Sequence, residues 1–186
     1  MIIGLSGHGR AGKDTVGKIL VDRYDFQRLA FADVLREVAY AIDPYIPLDE
    51  WNKQFTRLSA YVNERGWEQA KIENVEVRWL LQRLGTEAGR NVLGENVWIN
   101  ALVDKMESDV DYVITDVRFP NEAVAVKEEL SGHVVRVERP QAGLTGTAAL
   151  HASETALDDW TFDYVLNNFG TLDALQASVD HMLQAL

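Results

Sequence analysis

A glycine-rich stretch near the N-terminus has the residue types needed to hold phosphate. It runs GHGRAGKDT over residues 7–15, between a short apolar run and an amphipathic helical pattern. Glycines let the backbone curl so that successive N–H groups point inward, and the start of the next helix adds partial positive charge. We expect Lys13 to reach the β- and γ-phosphates of a nucleoside triphosphate. The predicted nucleotide contacts are Gly7, Gly9, Arg10, Ala11, Gly12, Lys13, Asp14 and Thr15.

The residue after the lysine departs from the strict phosphate-loop motif. That motif requires Ser or Thr there, whereas this chain has Asp14, with Thr15 one place later. An acidic residue beside phosphates is favourable when a cation lies between them, so we expect Asp14 to hold Mg²⁺. Thr15 would then contact the α-phosphate. The alternative is a glycine turn that only caps an ordinary helix.

Short β-rich runs alternate with helical patterns, which predicts one α/β domain with a parallel sheet covered by helices on both faces. Two stretches interrupt the alternation. Residues 44–108 show no clear strand and are interpreted as a helical substrate-binding insertion, and residues 140–156, rich in Gly, Thr and Ala, as a lid. The five predicted strands are 2–6, 26–30, 112–115, 134–138 and 164–167.

The predicted helices follow from apolar residues that recur with a period near 3.6. One helix is expected over residues 49–65, and the last helix is expected to begin after Thr171 as N-cap. The predicted apolar faces are Val16, Ile19, Leu20 and Tyr24; Val34, Val38, Ala41 and Ile42; Trp51, Phe55, Leu58 and Val62; Val77, Leu80, Leu81 and Leu84; and Leu172, Leu175, Val179, Met182 and Leu186.

Two polar residues follow the third predicted strand. Asp116 lies at its carboxyl end, where ligands bind in open α/β sheets, so it is the second candidate ligand for Mg²⁺. Arg118 would reach the same crevice and stabilise charge on a phosphoryl group in transfer. The alternative for Asp116 is that it caps a turn before Pro120.

Several segments resemble a known family. GLSGHGRAGKDTV is similar to the phosphate loop of bacteriophage-type deoxynucleoside monophosphate kinases, in which Gly-Lys-Asp-Thr is typical. FADVLREVA at 31–39, VRWLLQRLGTEAGR at 77–90 and VITDVRFPNEA at 113–123 are also similar, as are the shorter runs at 135–140, HASE at 151–154 and NNFGTLDAL. The resemblance implies a three-layer P-loop kinase fold with an acceptor-binding insertion and a lid. It also implies Mg²⁺-ATP as donor and a deoxynucleoside monophosphate as acceptor.

The resemblance also implies where the acceptor is bound. Asp33 and Arg36 are expected to contact it, although spacing alone makes Asp33 equally an N-cap. Arg78 and Gln82 share one helix face, which either presents a guanidinium and an amide to the acceptor or is simply solvated. Trp79 and Trp98 could stack on a base, but such residues are more often core. The predicted substrate contacts are Asp33, Arg36, Arg78, Gln82, Arg90 and Asp116.

The distribution of basic residues limits which arginines can bind anions. No Lys or Arg follows Arg139, so the predicted lid beyond it has none. Lids of related kinases usually carry arginines, and we expect Arg10, Arg118 and Arg139 to replace them, acting in catalysis together with Lys13. His151 and Glu154 in the HASE run are weaker candidates for nucleotide contact.

Composition narrows the remaining function classes. A net charge of −11 over 186 residues argues against a nucleic acid polymer as partner. The chain has no cysteine, its N-terminal run does not resemble a secretory leader and no apolar run is long enough for a membrane span, so we expect a cytoplasmic protein. The resemblance implies that it acts on small nucleotides. Homodimer formation stays open, as do three alternatives: a kinase like the animal phosphomevalonate kinases, a nucleotide-dependent switch and a structural module. A switch is disfavoured, because the third predicted strand leads to DVRFP without an Asp-x-x-Gly motif, and the Asn-Lys-x-Asp motif does not occur in the sequence.

Overall fold

The computed structural model describes residues 1–49, 53–140, 142–143 and 152–186. The chain divides into two compact units. The sheet unit comprises Met1–Phe31 and Leu102–Leu186, and the helical unit comprises Ala32–Ala101. In the described ranges, no helix combines the length and the apolarity needed to cross a membrane.

The sheet unit is built on five parallel strands, which confirms the prediction, and no strand boundary differs from it by more than one residue. These strands are β1 (Ile2–Ser6), β2 (Gln27–Leu29), β5 (Tyr112–Ile114), β6 (His133–Glu138) and β7 (Tyr164–Asn167). Their spatial order is β2-β5-β1-β6-β7. In β1, Gly4 pairs with Ile114 of β5 on one side and with Val134 of β6 on the other. The order of strands therefore reverses at β1, and such a reversal leaves a ligand crevice beyond the carboxyl ends.

Alternate residues of β1 face opposite sides of the sheet. Ile3 and Leu5 are fully buried in a core that also contains residues of the first and last helices. Gly4 faces the other way, where an added Cβ would lie 2.8 Å from Val117 and 3.2 Å from Val126. Helical segments thus cover both faces, giving the predicted three layers. The helical segments with residues in this unit are α1 (Lys13–Tyr24), α2 (Phe31–Ile42, which continues into the helical unit), α6 (Val97–Val103, which enters from it), α7 (Pro120–Val124), a π-helical segment (Ala125–Glu129), α8 (Ala152–Thr155) and α9 (Leu172–Ala185).

The helical unit has its own apolar core around Leu58, Val62, Val77 and Leu81. Besides α2 and α6, it contains a short antiparallel hairpin and a series of short helices. These elements are β3 (Tyr45–Pro47), β4 (Phe55–Arg57), α3 (Leu58–Arg65), α4 (Trp67–Glu73), α5 (Val75–Gln82) and a π-helical segment (Arg83–Leu93).

Two sequence predictions for this unit were wrong. The hairpin lies in the stretch expected to have no strand, and the helix predicted over 49–65 begins only at Leu58. The spacing of Phe55 from Leu58 and Val62 imitated a helical stripe, but Phe55 belongs to β4 and is 54% exposed. Trp51, the first residue of that stripe, lies outside the described residues.

The buried face of α2 also differs from the prediction. Val38 and Ile42 are exposed and Ala39 is buried, because α2 has apolar residues at so many positions that period alone does not select a face. In α9 the N-cap prediction is confirmed, since the Thr171 hydroxyl accepts the N–H of Ala174. Leu172, predicted on its apolar face, is exposed.

Candidate active site

The phosphate loop leaves β1 at Gly7 and ends where α1 begins at Lys13. Gly7 has φ +134° and Gly12 has φ +104°, values that favour glycine. Both positions are also tightly enclosed. A Cβ on Gly7 would lie 2.3 Å from the carbonyl oxygen of Val137 in β6, and one on Gly12 would lie 2.4 Å from the amide nitrogen of Asn168, just past β7. Glycine is therefore needed at positions 7 and 12, because residues at the ends of β6 and β7 leave no room for a Cβ there.

Lys13 is buried inside this loop, with 8% of its surface exposed. Its ammonium donates hydrogen bonds to the carbonyl oxygens of Gly7 at 2.5 Å and His8 at 2.9 Å. Burial and, to a smaller extent, the charge of Arg118 lower the pKa of Lys13 from 10.5 to about 8, although nearby carboxylates oppose the shift. The loop thus contains a cation whose charge is costly until an anion approaches.

Arg118 is held against the loop by two carboxylates. Its backbone N–H donates to Glu122 at 2.7 Å, and Glu122 also receives the N–H of Phe119. The guanidinium donates to Glu154 at 2.9 Å, and the Glu154 carboxylate accepts the Gly9 N–H at 2.7 Å. Arg118 is therefore linked to the phosphate loop through Glu154, a residue that the sequence marked only weakly.

Asp116 makes a helix-capping contact that differs from the turn cap before Pro120 considered from the sequence. Its carboxylate accepts the backbone N–H of Phe31, the first residue of α2, at 2.9 Å, so it caps that helix. Its charge also raises the pKa of Lys13, as does the charge of Asp14 in the first turn of α1. Both candidate Mg²⁺ ligands therefore lie near the lysine.

The donor set fits Mg²⁺ bound together with a nucleotide. No group of three or more acidic or histidine side chains in the described part of the chain is arranged to hold a metal ion. Mg²⁺ usually binds through one or two carboxylates, with phosphate oxygens and water completing its coordination. Asp14 and Asp116 are such a pair. Thr15 is exposed beside Asp14, in the first turn of α1.

The other two predicted catalytic arginines are exposed. Arg10 lies within the loop at φ +65°, and Arg139 directly follows β6. Arg118 is linked to the loop from outside it, by the bond of its guanidinium to Glu154. The predicted lid falls largely outside the described residues, and His151 lies outside them too.

Asn168 was missed by the sequence analysis. It is 9% exposed, and its side-chain amide donates to the carbonyl oxygen of Ala11 at 2.9 Å. Its own backbone N–H donates to Glu138 at the end of β6, so its position is fixed by the sheet. The available signal was a polar residue directly after an apolar strand, in the NNFG run.

Arg136 was missed as well. It is 12% exposed, and its guanidinium contacts His8 of the loop and Asp158, each at 3.0 Å. The available signal was a charged residue inside the apolar strand β6. Arg136 links the loop to the turn that follows α8.

In the helical unit, two of the predicted acceptor contacts border one groove of about 330 Å³. Arg36 forms ion pairs with Asp33 at 3.2 Å and Glu68 at 2.6 Å, and its side chain is 20% exposed. The volume lies within the usual range of small-molecule sites. The groove is lined by Asp33, Arg36, Glu37, Tyr40, Ala41 and Trp67.

The remaining predicted acceptor contacts lie along α5 and the π-helical segment after it. Arg78 is exposed and donates to the carbonyl oxygen of Lys71, Gln82 is exposed, and Arg90 is half-buried. Trp98 belongs to the core, because it is 7% exposed and its indole N–H donates to Gly85. Trp79 is 52% exposed.

The family model described as deoxynucleotide monophosphate kinase matches residues 48–179, which is well over half of the chain. The chain belongs to this family. A protein of Acanthamoeba polyphaga mimivirus named as a deoxynucleotide monophosphate kinase is 28% identical over 201 residues, covering 96% of this chain and 94% of that protein. The deoxynucleoside-5′-monophosphate kinase of Escherichia phage T5 is 27% identical over 181 residues, covering 69% and 72%.

Among solved structures, a dephospho-CoA kinase from Campylobacter jejuni covers 98% of this chain and 95% of its own, with a TM-score of 0.50 and 13% identity. At this identity the likeness shows the fold alone. The family match confirms the resemblance read from the sequence and favours a nucleotide kinase over a phosphomevalonate kinase. As a deoxynucleotide monophosphate kinase family member, the protein is a phosphotransferase that acts on small nucleotides.

Proposed function

We propose that this protein transfers the γ-phosphoryl group of ATP to a deoxynucleoside monophosphate, giving ADP and a deoxynucleoside diphosphate. The observation that carries the proposal is the loop in which Lys13 is buried beside Arg118, in a chain of the deoxynucleotide monophosphate kinase family. Loop amides, a lysine and an arginine are the groups that compensate charge during phosphoryl transfer.

The reaction needs positioning more than covalent help from the protein. An ionised oxygen of the acceptor phosphate attacks the γ-phosphorus. The bond between the γ-phosphorus and the oxygen that joins it to the β-phosphate breaks, and ADP leaves with that oxygen. The acceptor oxygen is already ionised at neutral pH, so we assign no general base. Lys13 follows the charge on the phosphoryl group and Arg118 stabilises its equatorial oxygens.

Asp14 and Asp116 would hold Mg²⁺, which would neutralise part of the charge on the phosphates. We assign acceptor contacts to Asp33, Arg36, Arg78, Gln82 and Arg90. The groove beside Asp33 and Arg36 supports the first two, since it combines an ion-paired guanidinium with the aromatic residues Tyr40 and Trp67.

The deciding experiment measures ADP release with each deoxynucleoside and ribonucleoside monophosphate, in wild type and in Lys13→Ala. We expect activity with at least one deoxynucleotide and a loss of about 10³-fold or more without the lysine. Phosphomevalonate serves as the control acceptor. Equal activity in the two proteins, or activity with phosphomevalonate alone, would end the proposal.

A second experiment tests the arginines. Alanine at Arg10, Arg118 and Arg139, one at a time, is expected to lower the turnover number far more than it weakens ATP binding, because charge on the transferring group develops only in the transition state. Unchanged turnover in all three variants would remove the arginines from the mechanism.

A further inference from the structure

The Glu154 carboxylate is buried against the phosphate loop although it is an anion. Its side chain is 5% exposed, and its two oxygens have different partners. One accepts the backbone N–H of Gly9 at 2.7 Å, and the other accepts the guanidinium of Arg118 at 2.9 Å. The carbonyl oxygen of the same Gly9 accepts the N–H of Gly143 at 2.8 Å, so the loop tip is held on both sides.

The two partners of Glu154 are also the groups assigned to phosphate. A loop amide and an arginine are the donors that phosphate oxygens use at such sites. The charge of Glu154 also raises the pKa of Lys13, so a second cationic group, besides Arg118, interacts with the carboxylate. A carboxylate with one oxygen on a loop amide and one on a guanidinium is the arrangement expected of two phosphate oxygens.

We propose that Glu154 fills part of the phosphate site in the nucleotide-free protein, and that the phosphates of the entering nucleotide displace it from Gly9 and Arg118. The inference rests on the proposed function, since it requires a nucleotide in the loop. Displacement is favoured because a carboxylate left beside a polyphosphate would be repelled by it, and neither Gly9 nor Arg118 can serve both anions fully. Glu154 is then a positioning residue, which holds Arg118 in place until the nucleotide takes it over.

When Glu154 occupies the phosphate site in most of the molecules, only the remaining fraction can bind the nucleotide. The apparent affinity for the nucleotide is then the intrinsic affinity multiplied by that fraction. Removing the competing charge should therefore tighten ATP binding. Because Arg118 is 38% exposed, its bond to Glu154 is partly screened, and we expect a gain of roughly three- to tenfold rather than more. In the same variant the free protein should be less stable, because the Arg118 ion pair is lost.

The test compares wild type, Glu154→Gln and Asp159→Asn by calorimetric titration with ATP and with inorganic tripolyphosphate, and by thermal unfolding with and without ATP. Asp159 is exposed and lies five residues further along the chain, so its variant removes the same charge away from the loop. We expect Glu154→Gln to bind both ligands roughly three- to tenfold tighter and to unfold at a lower temperature when free. Asp159→Asn should bind within about twofold of wild type.

Equal or weaker ATP binding by Glu154→Gln overturns the proposal, because a residue that only stabilises the loop would weaken both stability and binding when altered. If Glu154→Gln does not fold, Glu154→Asp decides: its shorter carboxylate cannot span both partners, so tighter binding supports displacement and unchanged or weaker binding refutes it. Failure of the proposed function is seen separately, as a wild type that binds no ATP.

Discussion

The ammonium of Lys13 is buried, and we expect this burial to make the free energy of unfolding depend on pH. Burial and the charge of Arg118 lower its pKa from 10.5 to about 8. Below pH 8 the folded and unfolded chains both carry this proton, and the folded state bears the full penalty of the buried charge. Between pH 8 and 10.5 the folded chain releases the proton while the unfolded chain keeps it, so this group raises the free energy of unfolding as pH increases.

The size of the effect follows from the two pKa values. The full shift corresponds to about 3.4 kcal/mol. Between pH 7 and pH 9.5, linkage predicts that wild type gains about 2 kcal/mol relative to Lys13→Met, which has no proton to release. Taking the difference between the two proteins cancels the other groups that titrate in this range.

The assay is urea unfolding of nucleotide-free wild type and Lys13→Met at pH 7 and pH 9.5. The control is Lys18→Met, on the same helix, because the Lys18 side chain is 74% exposed and pairs with Asp22 at the surface. A pH-dependent difference below about 0.5 kcal/mol for Lys13→Met would refute the reasoning. It would mean that the loop carbonyls and the nearby carboxylates compensate the buried charge almost completely.

Three further predictions concern the same loop. At pH 8.5, ATP binding should take up about three-quarters of a proton at Lys13, because bound phosphates restore its charge; titration in buffers of different ionisation enthalpy measures this. Gly7→Ala should lower the free energy of unfolding by about 3 kcal/mol or more, because the added Cβ meets a backbone carbonyl. The control is Gly66→Ala, which is also strained by a positive φ but has open space around the added Cβ, and it should cost about 1 kcal/mol. Urea unfolding measures both variants. Asn168→Ala should lower the free energy of unfolding by about 1–3 kcal/mol and weaken ATP binding, because the buried carbonyl of Ala11 loses its donor; equal ATP affinity in calorimetry would separate Asn168 from the site.

The parts of the fold that the sequence predicted well are those with a local physical signature. Strands of a parallel sheet are buried on both faces and therefore appear as short apolar runs, which is why β1 was found at 2–6. The loop after it was found because positive φ and close approach restrict Gly7 and Gly12 to glycine. The positive φ is a local requirement, whereas the close approaches involve Val137 and Asn168, which are distant along the chain.

The helical unit was predicted less well because apolar residues of neighbouring elements happen to have the spacing of a single helix. Phe55 and Leu58 belong to different elements, yet their spacing fits a single helix. The π-helical segment Arg83–Leu93 continues directly from α5, so the 3.6-residue period does not hold for the faces beyond Gln82. The orientation of Arg90, which lies in this segment, therefore could not be derived from the 3.6-residue period.

The site itself shows which contacts a motif can reveal. Lys13 and the glycines are recognisable because any loop that holds phosphate needs them, whatever the rest of the chain does. Glu154 reaches Gly9 across 145 positions, and Asn168 reaches Ala11 across 157, so neither belongs to a local pattern. Their roles also concern the loop itself: Asn168 satisfies a buried carbonyl, and Glu154 holds a guanidinium in place. A phosphate-binding motif includes only the residues that contact phosphate, so it does not include residues that stabilise the loop itself. Such residues can be identified only from the three-dimensional structure, in which the strand ends lie next to the loop.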